Sequence, residues 1–289
     1  MVRKRVFPES NYLALFTPSG KTLHQKLDST VEYGELQYPE IMDVAINNRC
    51  MGGCPYCYIS STSGGKNYDN VVEKAKRYFG SMDMNQRPFQ LAIGGAGEPT
   101  LHPDFPEFMK TLRELNIMPN YTTNGMHLGK RVLEATEKYA GGGAVTIHNH
   151  LEKHWSSAIE KLKDITRLNL HFIPMSIEDV DRMIVLSELY TNDVDYFVIL
   201  PYQAIGFGKP IDTKPIYDYM FSKLRTVSNL NQFAYGAYFY DLLKENNWIG
   251  ADLYEHGLFS KYLDMDGNMT LFRSSYEWDT PLKENLLCG

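Results

Sequence analysis

RCMGGCPYCY, residues 49–58, places Cys50, Cys54 and Cys57 within eight positions at the spacing C-x3-C-x2-C. Three thiolates on one tight loop suit a soft metal, either zinc or an iron–sulfur cluster. A structural zinc site takes four protein ligands, commonly from two paired motifs, and no second pair is present. The next histidine, His102, lies 45 residues beyond Cys57, and the fourth cysteine, Cys288, is next to last in the chain. Three ligands with one coordination position left open mark a reactive site rather than a structural one.

Outward from this loop the chain alternates strand and helix. IMDVAIN (41–47) reads as a strand running straight into the cysteines, and DNVVEKAKRYF (69–79) as a helix. Then come the strand FQLAIGG (89–95), the helix DFPEFMKTLRELN (104–116) and the strand MPNYTTNG (118–125). The helix GKRVLEATEKYA (129–140) precedes the strand GAVTIHN (143–149), and a helix over 151–164 precedes the strand LNLHFIP (168–174). SIEDVDRMIVLSELY (176–190) opens with Ser176 and Asp179 in a capping box and leads to the strand DYFVILPY (195–202). Six strands joined by helices of about a dozen residues predict parallel βαβ units with right-handed crossovers. The expected fold is α/β, a partial (β/α)6 TIM-like barrel over 41–210, with its reactive groups at the C-terminal strand ends. Residues 1–40 form an N-terminal extension expected to pack across the open edge of the barrel. Residues 211–289 form a small C-terminal cap in which Asp266-Gly267, between apolar runs, predicts a hairpin.

The 289 residues are 43% hydrophobic and 22% charged, enough apolar material to build a core without disulfides or structural metals. The cysteines are therefore free for chemistry. A formal charge of −6 argues against a broad nucleic-acid-binding face. The basic start MVRKRVFPES lacks the apolar stretch of a secretory signal, and no run reaches membrane-spanning length. A cytoplasmic protein with reduced thiols and no membrane partner is expected.

The cysteine spacing, with the aromatic Tyr56 just before the last thiol, resembles the signature loop of the radical S-adenosylmethionine (radical SAM) enzyme superfamily. That resemblance implies a [4Fe–4S] cluster on Cys50, Cys54 and Cys57, its fourth iron left for the amino and carboxylate groups of S-adenosylmethionine. It also implies reductive cleavage to a 5′-deoxyadenosyl radical that abstracts hydrogen from substrate, with Tyr56 against the adenine. GGAGEPTLHPDF (94–105) resembles the Gly-Gly-Glu-Pro motif of the family's second strand. On that likeness Ala96, Gly97 and Glu98 offer acceptors to the methionyl ammonium; Ala96 departs from the commonest form but keeps the approach open. TTNG (122–125) resembles the end of the third strand, where Thr123 and Asn124 are candidates for the methionyl carboxylate. VTIHN (145–149) stands where relatives often carry Ser-Leu-Asp, so Thr146 and His148 are candidates for carboxylate or ribose, and Ile173 for packing on adenine. The resemblance spans 41–208 and implies a one-electron reductant such as flavodoxin or ferredoxin.

The tail hairpin YLDMDGNMTLF resembles the SPASM or twitch extensions of peptide- and protein-modifying members, degenerate here because the tail holds only Cys288. Peptide or protein modification is the expected activity. Rearrangement of a nucleoside, nucleotide or other small molecule is the alternative. From a different class, the cysteines could serve a non-catalytic zinc or iron–sulfur binding protein. Cys288 is expected to be a free thiol, and His150 and His154 surface or substrate-facing histidines.

Overall fold

A computed structural model describes residues 2–246, 248, 257–277 and 280–282. Six parallel strands run in chain order: β4 (Ile41–Ala45), β5 (Gln90–Ile93), β6 (Met118–Thr123), β7 (Gly142–Thr146), β8 (Leu168–Phe172) and β9 (Tyr196–Ile199). The intervening helices are α1 (Val71–Gly80), α2 (Phe105–Glu114), α3 (Lys130–Tyr139), α4 (Glu152–Leu162) and α5 (Ile177–Leu189). Each falls within two or three residues of its sequence-predicted position. α5 starts where the capping box requires: the Asp179 N–H donates to Ser176 Oγ at 3.1 Å, and the Met175 N–H donates to the Asp179 carboxylate at 3.0 Å.

The strands alternate in what they bury. Val44, Leu91, Ile93, Tyr121, Val145, Leu170 and Phe197 are fully or almost fully buried and belong to one core with the helices. Phe105 of α2 meets the Tyr121 ring edge-on at 5.2 Å. The alternate positions, Asp43, Thr122 and His171 among them, line a common cavity. Asp43 belongs to the first strand of the series and Leu200 follows the last, yet both border that cavity, so the sheet is curled. Polar residues on this inner face are tolerated because it faces a void rather than packed apolar atoms.

The sheet is wider than six strands. β10 (Phe233–Tyr235) adds in parallel to β9, beyond α6 (Lys214–Leu224), and a short α7 (Tyr240–Glu245) follows it. β11 (Ser260–Asp264) adds in parallel to β4, and β12 (Thr270–Phe272) closes antiparallel on β11 around Asp266-Gly267. The predicted hairpin is present, and it occupies the edge beside the first barrel strand.

That placement corrects the expectation for the N-terminal segment. Its strands β1 (Arg3–Phe7), β2 (Tyr12–Phe16) and β3 (Thr22–Lys26) form a separate antiparallel sheet. The buried side of β2, Tyr12, Ala14 and Phe16, packs on Phe89, Met118 and Phe259, which lie at or beside the N-terminal ends of β5, β6 and β11. Phe16 stacks on Phe89 at 5.0 Å and 6°. The Arg3 guanidinium donates to the carbonyls of Met84, Arg87, Pro88 and Asn116, and Arg5 to those of Tyr38, Pro39 and Arg87. Carbonyls at this end of the barrel are thereby satisfied. The sheet closes the bottom of the barrel rather than its edges, which β10 and the β11–β12 hairpin extend.

Candidate active site

The cysteine loop leaves β4 and returns before α1, held by short-range pairing across its neck. The Asn48 N–H donates to Lys66 O, Cys50 N–H to Thr62 O at 2.9 Å, and Tyr68 N–H to Ile46 O. The thiols of Cys50, Cys54 and Cys57 are free, half-buried, and all face the cavity at the C-terminal ends of the strands, about 290 Å³ in volume. Backbone N–H groups point at sulfur: Gly52 N–H at Cys50 Sγ, 3.3 Å, and Ser61 N–H at Cys57 Sγ, 3.4 Å. The Asn124 amide reaches Cys50 Sγ at 3.5 Å. Burial pushes the Cys50 thiol up, and burial followed by repulsion from Cys50 and Cys57 pushes Cys54 up to about 12. Three thiols on one cavity wall, with N–H donors already at Cys50 and Cys57, form a donor set for a cation. Among the described residues no three His, Cys, Asp or Glu side chains converge on a single ion-sized point. The thiols instead border a wider void, which fits an inorganic cluster better than one zinc ion. His102 is not a fourth ligand, because its Nε2–H donates to Tyr68 O and its Nδ1 accepts the Asp104 N–H.

The other predicted residues gather around the same void. Tyr56, Ala96, Gly97, Glu98, Thr123, Asn124, Thr146, His148 and Ile173 all line it. The segment after β5 lies directly against the cysteine loop: Glu98 N–H donates to Arg49 O at 2.7 Å, and Gly97 N–H to Ser61 Oγ at 3.1 Å. Gly97 has φ +65°, and a Cβ there would fall on Asn47 Oδ1, so only glycine permits this approach. Glu98 is 2% exposed, and its carboxylate serves the fold. One oxygen accepts from the Thr100 N–H and hydroxyl, the other from the Asn124 N–H at 2.8 Å. This staples the end of β5 to the end of β6. Burial raises its pKa, opposed by these hydrogen bonds. Tyr56 Oη lies 2.8 Å from His148 Nδ1, and His150 Nε2–H donates to Gly52 O at 2.9 Å. His150, expected at the surface or facing substrate, is exposed and braces the cysteine loop. Burial, and then His150, lowers His148 to about 4, so the ring is neutral at ordinary pH.

The sequence model of the Radical SAM superfamily matches residues 44–194, just over half of the chain. The chain belongs to the radical SAM superfamily. The cofactors of that family are a [4Fe–4S] cluster and S-adenosylmethionine, and the three free thiols on one cavity fit such a cluster. A curated relative, the 7,8-dihydro-6-hydroxymethylpterin dimethyltransferase of Methanocaldococcus jannaschii, is 28% identical over 109 residues, 37% of this chain and 21% of that protein. SuiB of Streptococcus suis bound to its precursor peptide SuiA superposes with a TM-score of 0.67 at 15% identity, covering 87% of this chain and 63% of SuiB. The anSMEcpe protein with bound AdoMet superposes with a TM-score of 0.57 at 16% identity, covering 82% of this chain and 72% of that one. At these identities the two structures speak for a shared fold, the partial barrel. This radical SAM chain spans about a fifth of the dimethyltransferase and under two thirds of SuiB.

Motif reading missed part of the wall. Asp43, Tyr58, His171, Tyr202, Gln203, Ser275 and Tyr276 also line the cavity. Asp43 and His171 had a signal: each is a lone titratable residue inside a strand whose neighbours are apolar. Ser275 and Tyr276 had none, being brought in from the segment after β12. There the Tyr58 hydroxyl donates to Gly95 O at 2.8 Å and accepts from the Ser275 hydroxyl at 3.3 Å, and its ring meets Tyr276 edge-on at 4.8 Å. The loop after β9 clasps the cysteines from the other side, Phe207 N–H donating to Cys57 O at 2.9 Å. Cys288 lies outside the described residues. Among those residues no helix is long and apolar enough to cross a membrane.

Proposed function

We propose that this radical SAM enzyme binds its cluster on Cys50, Cys54 and Cys57 and modifies a peptide or protein side chain. When bound, the cluster and S-adenosylmethionine supply the one-electron cleavage to methionine and a 5′-deoxyadenosyl radical that abstracts hydrogen. The observation that carries the reading is the convergence of the three thiols and every other predicted residue on one cavity. Asn124 and the loop N–H groups tune the thiolates by donating to sulfur. Backbone acceptors at Ala96 and Gly97 meet the methionyl ammonium, Thr123 and Thr146 the carboxylate, Tyr56, Ile173 and His148 the nucleoside. Glu98 holds the β5 and β6 ends in register for these contacts rather than spending its oxygens on the ligand. The Tyr58–Tyr276 contact helps keep water from the radical.

The peptide substrate is supported by the tail hairpin and by the fold shared with SuiB and anSMEcpe, both known as complexes with peptides. The 28% identity to a pterin dimethyltransferase favours a small molecule as the second reading. An external donor of the flavodoxin or ferredoxin kind is proposed as reductant. Anaerobic reconstitution with iron and sulfide, then reduction with S-adenosylmethionine, should yield cluster absorption and 5′-deoxyadenosine. Loss of both in Cys54→Ala supports the assignment; iron content and product that survive that change would overturn it.

A further inference from the structure

Asp43 sits mid-strand in β4, between Met42 and Val44, which are buried in the helix-side core. Its carboxylate therefore faces the cavity. Among the described residues no donor and no cation pairs with it; only burial acts on it. Among the described residues no lysine or arginine lines that cavity. The other carboxylate on the wall, Glu98, already accepts from Asn124 and Thr100. A half-buried acid that has neither a hydrogen bond nor a counter-charge is stabilised by a cation that arrives to pair with it. The Tyr58 and Tyr276 rings, in edge-to-face contact at 4.8 Å, border the same cavity. Aromatic rings and a lone carboxylate on the wall of one cavity suit an organic cation.

We propose that Asp43, with Tyr58 and Tyr276, forms a substrate subsite for a protonated nitrogen, the ammonium or guanidinium of a basic side chain. This rests on the reading above that the cavity receives a peptide beside S-adenosylmethionine. It adds the chemistry of the residue that enters: the cation docks on Asp43, and the alkyl stem behind it is presented to the radical.

The test uses cluster-loaded enzyme saturated with S-adenosylmethionine, under anaerobic calorimetry. The probes are N-acetyl-lysine and N-acetyl-arginine methylamides, compared with the neutral N-acetyl-norleucine and Nε-acetyl-lysine counterparts. The cationic probes should bind at least tenfold more tightly than the neutral ones, and Asp43→Asn should abolish that preference while leaving neutral probes unchanged. Asp43→Ser carries the same expectation if the amide variant does not accumulate. Equal binding of charged and neutral probes, no saturable binding of the cations, or a preference that survives both substitutions would overturn the subsite. The two readings fail separately. An enzyme that makes no 5′-deoxyadenosine overturns the proposed function and leaves the probe comparison standing. An enzyme that makes it but ignores the charge overturns only the subsite.

Discussion

The Tyr56 hydroxyl lies 2.8 Å from Nδ1 of His148, joining the cysteine loop to the end of β7 across 92 residues of sequence. Both rings line the cavity, and burial keeps the imidazole neutral. The contact thus fixes the aromatic of the cysteine motif without introducing charge. Tyr56→Phe removes one buried hydrogen bond, about 1 kcal/mol. S-adenosylmethionine should bind about fivefold more weakly by calorimetry, with iron content unchanged. A loss of iron would mean that the contact holds the cluster loop rather than the nucleoside side.

Glu98 makes a sharper prediction. Glu98→Gln places an amide N–H₂ opposite either the Asn124 N–H or the Thr100 donors, so one buried donor faces another. Such a mismatch costs about 1–3 kcal/mol. Thermal denaturation should show the loss in the absence of S-adenosylmethionine, since the carboxylate acts within the fold. An unchanged midpoint with weaker ligand binding would return Glu98 to direct contact with the ligand.

Gly206 tests the clasp after β9. Its φ is +61°, and an added Cβ would strike the carbonyls of Tyr58 and Cys57. Gly206→Ala should cost about 1–3 kcal/mol and open the loop that covers the cysteines. Faster loss of the cluster in air, followed by the decay of its absorption, is the expected result.

Three groups on the cavity wall contribute to stability against pH with opposing signs. Burial lowers His171 to about 4, and burial followed by His150 lowers His148 to about 4. The folded rings bind fewer protons than the unfolded chain, so their contribution is full above about pH 6.5 and is lost as pH falls through 4. Burial raises Asp43 to about 6, so its contribution is full below about pH 3.8 and is lost as pH rises through 6. Burial also raises Glu98 and Asp264 and lowers His127, so the quantity to measure is how Asp43→Asn changes the loss of stability between pH 6.5 and 4 in anaerobic melts. Asp43→Asn should steepen that loss and raise the melting temperature at pH 8. A lowered temperature at pH 8 would contradict the desolvation of Asp43.

The sequence by itself determined the βα order, the strand that feeds the cysteine loop, and the groups at the strand ends. These are local properties: apolar periodicity, capping at Ser176, glycines at a close approach, and three thiols within eight positions. Even Asp266-Gly267 announced its hairpin. Tertiary structure alone decided what that hairpin is for, because β11 pairs with β4, more than 200 residues earlier in the chain. Curling of the sheet set Asp43 and His171 on one cavity, and the segment after β12 brought Ser275 and Tyr276 to it. It also gave Glu98 its partners on Thr100 and Asn124, a staple between the ends of β5 and β6. The N-terminal sheet went to the barrel floor for a reason of the same kind: Phe89, Met118 and Phe259 come together there only after folding, and Phe16 buries against them. Periodicity reports which face of a strand is buried; only closure of the sheet decides what that face meets.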